Sequence, residues 1–147
     1  MTQGSFAADV GAWAAQTRER MEAIRRESAQ RVVEIMQTPV AIGGNMPVDT
    51  GFLRASLQGQ VGMGNFSAKL KPEGAAKFTY DGGEVSLVIA SAGPADPITF
   101  AYTANYAQHV EYGARGRPGR RFVALAAQQW QRVVTEVATE AQKRATK

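Results

Sequence analysis

Cysteine is absent from the 147-residue chain, and histidine occurs once, as His109. The first absence excludes disulfide scaffolding, zinc–thiolate centres and thiol nucleophiles, and suits a protein that matures in a reducing cytoplasm. The second leaves no metal-ligand set, because scattered acids beside a single imidazole gather no cluster. No serine stands in a nucleophile-elbow motif, and Gly62-Met63-Gly64 lacks the third glycine and the following helix of a phosphate cradle. No apolar run approaches the ~20 residues of a membrane span, and Met1 to Val10 has neither the basic start nor the apolar stretch of a leader. A soluble chain, without cofactor or metal, is the expectation.

What is present begins with a basic excess, 17 Lys and Arg against 13 Asp and Glu, for a net charge of +4. A moderate excess favours polyanions or acidic partner surfaces only if it is concentrated. Here it is partly local, since Arg115, Arg117, Arg120 and Arg121 fall within seven residues. The length fits one domain, burying roughly two-thirds of its unfolded surface, so no staple is required.

Residues 8–37 read as a long amphipathic helix, with Val10, Ala14, Thr17, Met21, Ile24, Ser28, Val32 and Ile35 at spacings of three and four. Glu22 with Arg26 and Glu27 with Arg31 are acid-first pairs four apart, each worth about 0.2–0.5 kcal/mol. The apolar stripe is thin, so only part of this helix is expected to be covered, by a sheet or by a neighbouring subunit. After Pro39 and the Gly43-Gly44 pair, residues 49–57 read as a short helix. Asp49 is its expected N-cap, and Val48 is expected to staple onto Leu53.

From 57 to 104 the period changes to two, with Leu57, Val61 and Met63, then Glu84 to Ala90, then Ile98, Phe100 and Tyr102, which predicts three or four antiparallel strands. Residues 64–83 are rich in Gly and Lys and end in Asp81-Gly82-Gly83, predicting a protruding, flexible hairpin or arm. Asn105 is the expected cap of a short helix over 105–113 that Gly113 ends. An arginine loop spans 114–119. A C-terminal helix over 119–145 carries Phe122, Leu125, Ala126, Trp130, Val133, Val134, Val137 and Ala141 on one stripe. The architecture predicted is a single α+β domain, two helices packed on a small, mainly antiparallel sheet.

The polar residues suggest contacts rather than catalysis. His109 reads as a surface or interface histidine. Glu111 falls in a last helical turn, where the dipole disfavours an acid by about 0.3–1 kcal/mol unless a cation compensates. Arg115 and Arg54 are the candidates, and Arg54 is favoured because the pair would tie two separate segments together. The arginine loop can offer forked donors to phosphates or carboxylates. Four phosphate contacts would give a log–log salt slope of about −3 to −4, weak and sequence-blind binding only. Arg120 and Arg121 are expected in the first turn of the last helix, where only something acidic would offset the dipole.

Three stretches occur in order: Pro47-Val48-Asp49-Thr50-Gly51-Phe52-Leu53-Arg54-Ala55-Ser56-Leu57, then Tyr106-Ala107 with Val110-Glu111-Tyr112-Gly113, then Pro118 with Arg121-Phe122 opening the last helix. Their order, spacing and flanking helices resemble the tail-completion and head–tail joining proteins of long-tailed bacteriophages and phage-like particles, over nearly the whole chain. The resemblance implies a non-enzymatic virion subunit, assembled in the bacterial cytoplasm, that forms a ring, hexameric by expectation, at the neck. Its partners would be its own copies, the tail-tube protein and the head-side connector or stopper, with packaged DNA passing through. Asp49, Thr50, Gly51, Arg54, Tyr106, Glu111 and Gly113 are then structural signature positions. Arg115, Arg117, Arg120 and Arg121 would face either the DNA lumen or an acidic neighbour. The alternative is a stand-alone, non-specific nucleic-acid-binding domain, against which stand the lack of aromatics within the loop and of a helix-turn-helix pattern.

Overall fold

The computed structural model describes residues 3–74 and 77–145, with the side chains of residues 3–7 and 13 excepted. The fold is α+β, with a long N-terminal helix, a bent C-terminal helix and two small antiparallel two-stranded sheets. Helix α1 runs Gln3–Gln37 and is followed by a 3-10 turn at Val40–Ile42. Then come α2 (Phe52–Ala55), β1 (Leu57–Val61), α3 (Gly82–Ser91), β2 (Ile98–Tyr102), α4 (Ala107–Tyr112), the strand pair β3 (Gly113–Ala114) and β4 (Arg117–Pro118), α5 (Phe122–Ala127) and α6 (Trp130–Ala145). No helix among the described residues is long and apolar enough to cross a membrane.

At 1.5 Å per residue, α1 is about 52 Å long. Its buried residues lie toward the C-terminal end: Ser28, Val33, Met36 and Gln37 are buried, whereas Val10 is 50% and Met21 65% exposed. The expected stripe is thus displaced toward Val33 and Met36, with Ala29, Val32 and Ile35 packed beside them. Arginines fasten the buried part. Arg31 donates to Glu27 of its own helix and to Glu140 of α6, at 2.8 and 2.6 Å. Arg25 donates to the carbonyls of Gly93 and Asp96, both at 2.8 Å, and Arg26 to that of Ala92 at 2.9 Å.

The central sheet has two strands, where three or four were expected. Leu57 pairs with Tyr102 through to Val61 with Ile98. The expected strand over Glu84 to Ala90 is instead α3, because Asp81-Gly82-Gly83 works as a helix start rather than a hairpin turn: the Asp81 carboxylate accepts from the Gly83 amide at 2.9 Å. Glu84 then sits in the first turn, favoured by the dipole. Val85 and Ile89, four apart, are buried and Leu87 is 71% exposed. A short apolar run fits either period, and the cap decides it.

Residues 64–74 and 77–80, the described part of the expected arm before α3, contain no hairpin. They form a strap whose Lys69 amide donates to the Thr103 carbonyl and whose Lys69 carbonyl accepts from Asn105. Further on, the Phe78 amide donates to the Thr50 carbonyl at 2.8 Å, and its ring meets Phe52 edge-on at 5.1 Å. Positions 75 and 76 lie outside the described residues.

The expected C-terminal helix over 119–145 is two helices. Between α5 and α6 the Gln129 amide reaches back only to Ala126, a tighter turn that rotates the second helix. Phe122 and Ala126 face the core from α5, and Val133 and Val137 from α6. Trp130, expected on the core stripe, is 41% exposed as a result. One apolar cluster gathers Val33, Met36, Leu57, Val85, Ile89 and Ala126. A second gathers Met46, Phe52, Leu53, Ala104 and Phe122, and Tyr102 packs against both.

Candidate functional site

The second cluster joins α2, the start of α4 and α5 around Met46 and Ala104. Phe52 and Leu53 come from α2, Tyr106, Ala107 and Val110 from α4, and Phe122 from α5. Phe122 meets Tyr102 edge-on at 4.9 Å and Phe52 lies 6.1 Å from Tyr106. Burying each of these aromatics is worth about 1.5–3 kcal/mol, so the segments hold one another in place.

The caps are not where the local pattern puts them. Asp49 is exposed and caps nothing; α2 begins later, at Phe52, whose amide donates to the Thr50 hydroxyl at 3.3 Å. Val48 is 50% exposed and makes no staple on Leu53. Gly51 is the N-cap in the left-handed region, φ 85°. A Cβ there would lie 2.5 Å from the Phe78 carbonyl oxygen, so Gly51 lets the strap pass against α2. Asn105 likewise does not cap α4, whose N-cap is Tyr106 without a side-chain bond.

Arg54 does not pair with Glu111. Its Nε donates to the Gln37 carbonyl at 2.9 Å while the Gln37 amide donates to the Arg54 carbonyl at 2.9 Å. Its guanidinium lies 5.2 Å from the centre of the Tyr80 ring. The Tyr102 hydroxyl donates to Gln37 Oε1 at 2.6 Å, and burial pushes the Tyr102 phenol well above its ordinary value. Buried Gln37 is therefore the polar hub between α1, α2 and β2, a role with no signal in the sequence.

Glu111 is only 7% exposed. Its two oxygens accept from the Val123 and Ala124 amides at 3.0 and 2.9 Å. These are the second and third residues of α5, the donors an N-cap side chain ordinarily satisfies. An acid misplaced at the end of α4 is well placed at the start of α5, ten residues on. The main chain follows it: Arg121 donates to the Glu111 carbonyl at 3.1 Å and Arg120 to that of Val110 at 2.8 Å. This crossing is tight enough that a Cβ on Gly119 would fall 2.2 Å from the Glu111 carbonyl oxygen.

The expected loop over 114–119 is consequently the β3–β4 hairpin, with Gly113 paired to Pro118. Gly113, φ 95°, closes α4 and donates to the His109 carbonyl. Arg115 and Arg121 both take φ 53°, a conformation that costs an ordinary residue about 1–2 kcal/mol. Arg121 is the N-cap of α5 rather than a member of its first turn, and Arg120 precedes it.

Three of the four arginines converge. Arg115, Arg117 and Arg120 line a concave surface of about 800 Å³ with His109, Tyr106, Val110, Pro47 and Pro118; Arg121 does not line it. A second hollow of about 360 Å³, holding Asp49 and Lys71, shares Pro47, Tyr106 and Val110 as its wall. Among the described residues none of these three arginines joins an ion pair. No group of three metal-binding side chains is gathered among the described residues. The chain matches no protein-family model, no curated protein and no solved structure.

Proposed function

We propose that the chain is a structural, non-catalytic virion subunit of the neck of a long-tailed phage or phage-like particle. It forms a ring, hexameric by expectation, where the tail tube meets the head-side connector, and packaged DNA passes through it. The observation that supports this reading is the convergence of three separated sequence stretches on one apolar cluster through Phe52, Tyr106 and Phe122. The resemblance therefore rests on residues that act as one folding unit. Support also comes from α1, which leaves Val10 and Met21 exposed; a ring subunit covers such a surface with its neighbours.

The test is the solution mass of the purified protein, alone and mixed with the co-encoded tail-tube protein, by light scattering after gel filtration. Rings, formed alone or only with the tube protein, are expected. A monomer indifferent to the tube protein overturns the proposal. The three exposed arginines favour a second reading, a stand-alone non-specific nucleic-acid-binding domain. That reading requires such a monomer to bind DNA with a steep salt dependence.

A further inference from the structure

We infer that the concave surface between α4 and the β3–β4 hairpin is a docking site for an acidic, partly apolar segment of a protein partner. Its chemistry has two parts. Arg115, Arg117 and Arg120 supply forked donors that no carboxylate of the described chain engages, and guanidinium forks match carboxylates in a two-bond geometry. The nearby acid, Glu111, is committed to the α5 amides. Pro47, Val110 and Pro118 supply an apolar wall for a side chain adjoining the acids.

Shape and charge favour a peptide over a nucleic-acid backbone. A phosphate backbone carries its charge without interruption, whereas the arginines are confined to one hollow and the adjoining one, with Asp49 beside Lys71, offers no net cation. An acidic cluster followed by apolar residues ends its charge where the arginines end. Tyr106 is also unsuited to stacking on a base, since its ring packs on Phe52. The hairpin is held by backbone bonds from Arg120 and Arg121 to the end of α4, so little ordering opposes binding.

The probes are a fluorescein-labelled peptide of three glutamates followed by two leucines, the same peptide with serines for leucines, and a short labelled DNA duplex, each titrated into the full chain at fixed salt and followed by anisotropy. The glutamate–leucine peptide is expected to bind more tightly than the other two. Arg117→Ala is expected to weaken it by about tenfold, the loss of one charge-assisted bond pair, and Arg121→Ala to leave it unchanged. Arg115→Gly separates binding from folding, because glycine accepts φ 53° without strain; it should retain or raise the melting temperature while lowering affinity. No peptide binding, equal loss with Arg121→Ala, or preference for the duplex overturns the assignment. Rings that ignore the peptide would overturn the docking site alone, and a monomer that binds it would overturn the ring alone.

Discussion

Removing the Glu111 carboxylate tests the largest departure of the structure from local sequence rules. In Glu111→Ala the amides of Val123 and Ala124, now bonded at 3.0 and 2.9 Å, lose their acceptor at a site where Glu111 itself is 7% exposed. A hydrogen bond to a charged group is worth about 1.5–3 kcal/mol, and an N-cap about 0.5–2. The two bonds share one side chain and are not additive, so the expected loss is about 3 kcal/mol. For a chain of this length that corresponds to a fall in Tm of about 10 °C. Phe122, at the first position of α5 and 2% exposed in the second cluster, is the side chain whose packing loosens. Glu111→Gln keeps one acceptor oxygen but turns a donor toward the other amide, so it should lose about half as much. Urea unfolding followed by circular dichroism measures both. A Glu111→Ala loss below about 0.5 kcal/mol, within the range of ordinary surface substitutions, would refute the capping role. The double mutant with Arg54→Ala should be additive, because Arg54 bonds Gln37 instead; a coupling above about 0.5 kcal/mol would restore an Arg54–Glu111 interaction.

Ser28→Ala should stabilise the protein by about 1 kcal/mol, since the Ser28 hydroxyl is fully buried and has no hydrogen-bond partner among the described residues, a state that penalises folding; thermal melts check it, and a loss of stability would mean the hydroxyl is bonded. Gly119→Ala should cost about 1–3 kcal/mol, because its Cβ would meet the Glu111 and Tyr112 backbone at 2.2 and 2.6 Å, atoms that cannot rotate away; an unchanged urea midpoint would contradict the crossing. Burial raises the Tyr102 phenol above its unfolded value of about 10. The folded form therefore holds its proton more tightly: this contribution is complete below pH about 10 and is lost as pH rises through the folded value. Urea midpoints should fall as the pH rises above about 10, and fall less in Tyr102→Phe; equal slopes would refute the linkage.

The sequence exposes those elements whose signals are local and repeated. Helix α1 is legible because acid-first pairs and apolar spacings recur along it, and β2 because Ile98, Phe100 and Tyr102 alternate. The failures share a cause, which is that a local motif has more than one physical use. Asp81-Gly82-Gly83 serves a turn or a cap equally, and Val85 and Ile89, four apart, fit either period, so the bond from the Gly83 amide to Asp81 decides between them. Asp49 looks like a cap, yet Gly51 takes that position, because the strap passes so close that residue 51 can carry no side chain. Ten residues separate Glu111 from the helix it caps, a distance at which no periodicity reports. In the candidate site, the run of arginines was visible, but their division was not: its place as the N-cap of α5 sets Arg121 apart from the three that share a surface.

That division links the core to the surface. The hairpin that carries Arg115 and Arg117 is anchored at its far side by the bonds from Arg120 to Val110 and from Arg121 to Glu111, and α5 is anchored by the Glu111 carboxylate. One residue thus fixes, through its carbonyl and its side chain, both the start of the helix that buries Phe122 and the return of the loop that presents the arginines. A flexible arginine loop would lose about 1–2 kcal/mol per residue in fixing its backbone against a partner. Holding the loop by its backbone removes part of that cost before the partner arrives. The segment Tyr106 to Gly113 is therefore best understood as a bracket, packing inward on Phe52 through Tyr106 and holding the basic surface outward through Val110 and Glu111.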